Sequence, residues 1–205
     1  MRTPQEMIRY IHENIDGRMC DEFDNCLYLA SAVHDAGGGN YLEIGSLFGG
    51  SAILARMVMD DLGYEGDVYA VDPFDGYYVG IKNDNKRLIG GAVDTVSHKS
   101  VTIERAQANA EKMGAKVNFI KGAFKTELLP QALSYSVVYI DGDHWNEGPL
   151  NDWNNIKDRA DKFVVFDNCD KGHPAVERAV ATAWLDPEWT LTFKHGITAI
   201  MERVL

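Results

Sequence analysis

Polar side chains follow two apolar runs in the second half of the chain. The run ending at Ile140 is followed by Asp141-Gly142-Asp143-His144, and the run ending at Phe166 is followed by Asp167 and Asn168. If both runs are parallel strands, their carboxyl ends meet at one edge of a sheet. Two carboxylates and an amide oxygen suit a hard divalent cation such as Mg²⁺. The spacing predicts a metal set of Asp141, Asp167 and Asn168, and the alternative is that these are solvated turn residues or helix caps.

A glycine-rich bend lies near the start of the chain, in Glu43-Ile44-Gly45-Ser46-Leu47-Phe48-Gly49-Gly50-Ser51. Glycines let a backbone turn tightly and approach a ligand closely. The spacing is G-x-x-x-G-G rather than the G-x-G-x-x-G of dinucleotide sites, and Glu43 would repel a pyrophosphate placed over the bend. A ligand that carries an ammonium and a sulfonium would be attracted instead. The bend therefore favours S-adenosylmethionine as the cofactor, and a plain strand-to-helix turn is the alternative.

Further cofactor contacts are expected at the ends of the next two strands. Asp72 can accept hydrogen bonds from both ribose hydroxyls of a nucleoside, whereas Asp75 is expected to be a solvated residue. The Lys121-Gly122-Ala123-Phe124 segment is placed to line an adenine ring. The predicted cofactor-binding residues are Glu43, Gly45, Ser46, Gly49, Ser51, Asp72, Gly122, Ala123 and Asp141.

The elements that position these residues alternate along the chain. Apolar periodicity predicts helices over 3–15, 22–36, 51–61, 102–113, 153–159 and 175–184. It predicts strands over 41–44, 67–71, 116–120, 136–140 and 163–166, and then a tight pair over 189–193 and 197–201. This order predicts an α/β fold, a Rossmann-like, doubly wound and mostly parallel sheet of seven strands that closes on a C-terminal antiparallel hairpin.

Composition narrows the class of partner. The formal charge of −11 disfavours phosphate backbones, so no nucleic acid is expected. No apolar run approaches the roughly 20 residues that span a bilayer, so no membrane contact is expected. The N-terminus lacks the pattern of a signal peptide, which favours a cytoplasmic protein. The three cysteines are odd in number and lack C-x-x-C spacing, so reduced thiols are expected.

These motifs together resemble the small metal-dependent O-methyltransferases among the class I S-adenosylmethionine-dependent enzymes. The resemblance is carried by Leu42-Glu43-Ile44-Gly45 with Gly49-Gly50-Ser51, by Ile140-Asp141-Gly142-Asp143-His144, and by Phe166-Asp167-Asn168. It is nearest to the branch that methylates macrolide and aminocoumarin sugars, and Asp167-Asn168 also resembles the metal pair of the catechol-type enzymes. The resemblance runs from about Tyr41 to the C-terminus and implies a methyltransferase domain over 40–205. Separately, the glycines and polar residues of 80–97, with Lys82, Lys86 and Arg87, predict a flexible lid over the acceptor, and an ordinary surface insertion is the alternative. The helices of 1–39 precede the domain and are expected to cap the substrate or an oligomer interface.

The resemblance also implies roles for individual residues. Asp141, Asp167 and Asn168 would bind Mg²⁺ or another divalent cation, and Asp143 would be the base, as in the sugar-modifying branch. The alternative, from the Asp-His-Trp run of catechol-type enzymes, is that Asp143 is a metal ligand. Asn146 stands where catechol-type enzymes have a lysine base, so His144 is a rival base. The expected partner is a small hydroxylated acceptor, a glycoside or a phenol, and the chain is a possible homo-oligomer. The alternatives are a non-catalytic protein that binds S-adenosylmethionine or a related nucleoside, and a nicotinamide oxidoreductase, which Glu43 and the closing hairpin disfavour.

Overall fold

The computed structural model describes residues 2–17, 19, 23–75, 77–79 and 98–204. Their central feature is a seven-stranded sheet. Five neighbouring strands of this sheet pair in parallel, and the last two strands of the chain form an antiparallel hairpin at one edge. The predicted fold class, including the closing hairpin, is confirmed. The predicted lid over 80–97 lies outside the described residues.

The strands are β1 (Tyr41–Ile44), β2 (Val68–Asp72), β3 (Tyr77–Val79), β4 (His98–Ser100), β5 (Asn118–Lys121), β6 (Tyr135–Ile140), β7 (Ala160–Phe166), β8 (Trp189–His195) and β9 (Thr198–Arg203). The order in the seven-stranded sheet is β5-β2-β1-β6-β7-β9-β8. The strands from β5 to β7 in this order are parallel, and β9 runs antiparallel to both β7 and β8. The helices are α1 (Pro4–Asn14), α2 (Phe23–Ala36), α3 (Gly50–Leu62), α4 (Ile103–Met113), α5 (Gly148–Ile156) and α6 (Pro174–Trp184), with 3₁₀ turns at Thr126–Leu128 and Lys157–Arg159.

Two hydrophobic layers cover the sheet. Helices α1 to α4 contribute to the layer on one face, and α5 and α6 contribute to the layer on the other. The inner strand β1, between β2 and β6, is buried along its whole length. Its residues alternate, so that Tyr41 joins the first layer and Leu42 and Ile44 join the second. Glu43 therefore lies on the same face as Tyr41, beneath the helices of the first layer.

The leading helices belong to the same core as the sheet. Helix α1 starts with a capping box between Thr3 and Glu6, and it buries Met7, Ile8 and Ile11. These side chains join a cluster that also contains residues of α2, α3 and β1. Removing the leading helices would expose that apolar face to water.

Some boundaries differ from the sequence-based predictions. Helix α5 begins at Gly148 rather than at 153, with Pro149 in its first turn, where a missing N–H costs nothing. Strands β3 and β4 form a separate antiparallel pair that was not predicted. Cys169 is a free, buried thiol, as expected, but Cys26 is disulfide-bonded, so the expectation of reduced thiols is wrong there. No helix among the described residues is long and apolar enough to cross a membrane.

Candidate active site

The glycine bend connects the end of β1 to the start of α3. Gly45 has φ +87°, and a Cβ there would lie 2.2 Å from the backbone oxygen of Asp141. Gly49 is the N-cap of α3 with φ +83°. Both positions require glycine, because residues with a side chain avoid such positive φ angles and because Gly45 also has no space for a Cβ. The bend thus brings the backbone of β1 directly against the end of β6.

Asp72, at the end of β2, fixes this bend. Its Oδ2 accepts hydrogen bonds from the backbone N–H groups of Ser46 and Leu47, both at 2.9 Å. Its Oδ1 accepts one from Phe74 at 2.7 Å. A carboxylate offers about four acceptor positions, so one remains for a ligand in addition to these three. Asp72, the residue predicted to bind the ribose, therefore also fixes the conformation of the glycine bend.

Glu43 lies beneath the bend rather than on a cavity wall. It is fully buried, and its Oε2 accepts a hydrogen bond from the hydroxyl of Tyr41 at 3.0 Å. Burial raises the pKa of this carboxyl to about 8, although the hydroxyls of Ser51, Ser46 and Tyr41 oppose the rise. Oε1 of Glu43 and the hydroxyl oxygen of Ser46 lie close enough to interact, but neither makes a well-directed hydrogen bond among the described residues. Water or the polar part of a ligand at the bend would complete the hydrogen bonding of these two atoms.

The predicted metal residues lie together at the ends of β6 and β7. Asp167 is almost fully buried, and its pKa is raised to about 8, first by burial and second by the charge of Asp141. Asn168 follows it with φ +55°, a left-handed conformation that asparagine tolerates better than most residues. Two carboxylates that repel each other, one buried and one partly exposed, form with a neighbouring amide oxygen a donor set that fits a divalent cation. Among the described residues, no group of three or more His, Cys, Asp and Glu side chains is placed to hold a metal, so the set depends on the Asn168 amide.

The two candidate bases differ in their surroundings. The Nε2 of His144 lies 3.1 Å from Oδ1 of Asp141, and burial lowers the pKa of the imidazole. Asp143 is exposed, and its Oδ1 accepts a hydrogen bond from the backbone N–H of Trp145 at 2.9 Å. A Cβ at Gly148 would lie 2.7 Å from Oδ2 of Asp143, so this carboxylate packs against the start of α5. His144 therefore contacts Asp141 of the predicted metal set, whereas Asp143 interacts with the backbone of its own turn.

One cavity of about 780 Å³ joins the bend to the acidic set. Its volume lies within the usual range for small-molecule sites, roughly 300–1,000 Å³. The predicted residues on its wall are Gly45, Ser46, Ser51, Asp72, Ala123, Asp141, Asp143, His144, Asp167 and Asn168. Glu43, Gly49 and Gly122 do not line it.

Helix α5 contributes a wall that sequence reasoning missed. Asn151, Asp152 and Asn155 line the cavity from this helix. Burial, and then the charge of Asp143, raises the pKa of Asp152 to about 7. The predicted helix covered 153–159, which left Asn151 and Asp152 outside it, whereas α5 begins at Gly148. Pro149 was the available signal, because proline is common in the first turn of a helix.

Comparison with known proteins agrees with this geometry. The sequence profile of a family described as "Methyltransferase domain" matches residues 42–169, more than half of the chain. This chain belongs to that methyltransferase family. The match covers the bend and the acidic set of the methyltransferase, and it ends before β8 and β9. A search among curated proteins finds no match.

Solved structures share the fold of the methyltransferase at low sequence identity. The O-methyltransferase NovP is 21% identical, with a TM-score of 0.64 over 87% of this chain and 79% of its own. An O-methyltransferase from Bacillus cereus, in complex with SAH, is 15% identical, with a TM-score of 0.62 over 100% and 92%. TomG from Streptomyces achromogenes, an O-methyltransferase in complex with SAM, is 13% identical, with a TM-score of 0.61 over 100% and 91%.

Proposed function

We propose that this methyltransferase transfers a methyl group from S-adenosylmethionine to a hydroxyl of a small molecule, a glycoside or a phenol, with the help of Mg²⁺ or another divalent cation. The observation that carries the proposal is the single cavity that joins the glycine bend and Asp72 to Asp141, Asp167 and Asn168. The similar structures named as O-methyltransferases, one with SAM and one with SAH, support the same donor and acceptor classes.

The donor half of the cavity would hold the cofactor by four features. Asp72 has one acceptor position left for a ribose hydroxyl, and Ala123 and Phe124 line the wall beyond it for the adenine. The methionine part would lie at the bend, where Gly45, Ser46 and Ser51 line the cavity. Ionised Glu43 beneath the bend would attract the ammonium and the sulfonium.

The acceptor half would hold the hydroxyl beside Asp141, Asp167 and Asn168. When bound there, a divalent cation lowers the pKa of an acceptor hydroxyl and supplies positive charge where negative charge develops. The carboxylates orient the acceptor so that its oxygen lies in line with the methyl carbon and the sulfur. The C–O bond then forms as the C–S bond breaks, and S-adenosylhomocysteine leaves with the electron pair on sulfur.

His144 is the base in this proposal. If its Nε2–H donates to Asp141, its Nδ1 carries a lone pair that can accept the hydroxyl proton. Asp143 instead has one oxygen on a backbone N–H and the other against Gly148. His144→Gln should therefore lower kcat about 100-fold or more, and Asp143→Asn much less. The reverse order of the two losses would assign the proton to Asp143.

The cofactor assignment is tested by calorimetry with S-adenosylmethionine. Asp72→Asn should weaken binding about 10-fold or more, because it removes a charged acceptor and loosens the bend. Asp75→Asn, three residues later, exposed and away from the cavity wall, is the matched control and should bind normally. Tighter binding of NAD than of S-adenosylmethionine would contradict the assignment.

The cation assignment is tested by turnover. A chelator should abolish methyl transfer, and added Mg²⁺ should restore it. Asp141→Asn should lower activity about 100-fold while S-adenosylmethionine still binds. Asp161→Asn, an exposed carboxylate on β7, is the control. Activity unaffected by the chelator would reject the cation. Cofactor binding without transfer to any phenol or glycoside tested would favour a non-catalytic binding protein.

A further inference from the structure

A buried asparagine from the leading helices contacts the predicted metal set. Asn25, on α2, is 2% exposed, and its Nδ2 donates a hydrogen bond to Oδ1 of Asp167 at 3.0 Å. Its own Oδ1 accepts one from the hydroxyl of Thr198, on β9, at 3.1 Å. Thr198 is 1% exposed. The three side chains thus form a buried chain of hydrogen bonds from β9 through α2 to the end of β7.

The direction of this chain follows from the chemistry of its members. A carboxylate that serves a cation can only accept hydrogen bonds, so the NH₂ side of Asn25 must face Asp167. The amide oxygen then faces Thr198, whose hydroxyl donates to it and prevents the amide from turning over. Asp167 also contacts the Tyr139 hydroxyl and the backbone N–H of Asn168. Asn25, in contrast, contacts Asp167 from α2, outside the β6–β7 edge.

We propose that Asn25 is a positioning residue for Asp167, oriented by Thr198, which holds the carboxylate in the rotation needed to bind a divalent cation with Asp141 and Asn168. The inference rests on the proposed function, because it assumes that Asp167 is a cation ligand. Both Asn25 and Thr198 lie outside residues 42–169, which the family profile matches. Helix α2, one of the leading helices, therefore contributes a positioning residue to the active site.

A purely structural role would satisfy buried polar groups without affecting the cation. Metal affinity separates the two roles, because partners that orient a ligand typically change affinity 10–100-fold when removed. The measurement is calorimetry with Mn²⁺ on the full chain, without methyl donor, beside urea unfolding in the presence of a chelator. Asn25→Ala should bind Mn²⁺ about 10-fold more weakly or worse than wild type.

Two controls make the test specific. Asn109 is equally buried and makes two hydrogen bonds, to the backbone of Asp16 and Phe48, but none to the acidic set. Asn109→Ala should be destabilised in urea yet bind Mn²⁺ normally. At Thr198, valine keeps the volume and removes the hydroxyl, whereas serine keeps the hydroxyl and loses a methyl. Thr198→Val should weaken Mn²⁺ binding several-fold, and Thr198→Ser should not.

Each outcome has a definite reading. If Asn25→Ala binds Mn²⁺ as wild type does, the inference is wrong and the proposed function stands. If wild type itself binds no Mn²⁺, both the inference and the cation in the proposed function are wrong. If Asn25→Ala does not fold, the Thr198 pair decides, and equal binding by the valine and serine variants would overturn the inference.

Discussion

Replacing Glu43 by glutamine tests the electrostatics of the bend in the free protein. Burial raises the pKa of this carboxyl from 4.5 to about 8, so the folded protein keeps a proton that the unfolded chain loses above about pH 4.5. The folded state therefore binds more protons than the unfolded state in this range. Wild-type stability contributed by Glu43 is present below pH 4.5 and is lost as the pH rises towards 8.

The size of the effect follows from linkage. One proton of difference changes the free energy of unfolding by about 1.4 kcal/mol per pH unit. Between pH 5 and pH 8, with the folded carboxyl beginning to ionise near the upper limit, Glu43→Gln should gain on the order of 3 kcal/mol over wild type. Glutamine is nearly isosteric, and its amide oxygen can still accept the Tyr41 hydrogen bond.

The assay is urea unfolding of wild type and Glu43→Gln at pH 5, 6, 7 and 8, without ligands. The difference between the two free energies should widen steadily with pH. Glu65→Gln, at an exposed position, measures the background of removing one glutamate. Parallel curves for wild type and Glu43→Gln would refute the reasoning, because they would mean that Glu43 ionises in the folded state as it does in the unfolded chain.

Three further predictions concern the same site. Binding of S-adenosylmethionine near pH 7 should release a proton from wild type and none from Glu43→Gln. Calorimetry in buffers of different ionisation enthalpy measures this release. Equal release from the two proteins would mean that the proton comes from a group other than Glu43. Gly45→Ala should lower the free energy of unfolding in urea by roughly 3 kcal/mol or more, since its Cβ would lie 2.2 Å from the backbone oxygen of Asp141. Gly37→Ala is the control, because Gly37 has φ +70° but nothing lies within 4 Å of an added Cβ, and it should cost about 1 kcal/mol. Asp152→Asn should gain stability relative to wild type as the pH rises from about 4 to 7, because burial keeps Asp152 protonated in the folded state over this range. The expected gain in the free energy of unfolding is on the order of 2 kcal/mol, since the side chain is only partly buried. A difference that is constant with pH would show that Asp152 is not so shifted.

Local sequence patterns predicted the sheet and the edge that carries the site. All seven strands of the main sheet were found, because each is a short apolar run bounded by turn residues. The strand ends then place Asp72, Asp141 and Asp167 at one edge, and all three line the cavity. This part was predictable because it depends on neighbours in sequence and on one rule of topology.

Contacts between distant parts of the chain were not predictable in this way. Asn25 and Asp167 are 142 positions apart, and no local pattern pairs them. Asp152 was missed because the boundary of α5 was misplaced by five residues, from 153 to Gly148. The burial of Glu43, in contrast, could have been deduced. A central strand covered by helices on both faces buries every side chain, including a charged one.

That burial changes how the bend selects its ligand. A carboxyl with a pKa of about 8 is mostly protonated at pH 7, so Glu43 is not a standing negative charge. Ionising it at pH 7 costs about 1.4 kcal/mol, one pKa unit, which a nearby ammonium or sulfonium can repay through their attraction. The negative charge of a pyrophosphate would raise the free-energy cost of ionising Glu43 further. Under the proposed function, the bend would therefore discriminate between ligands through the ionisation of Glu43, because a cationic donor would favour the ionised carboxylate.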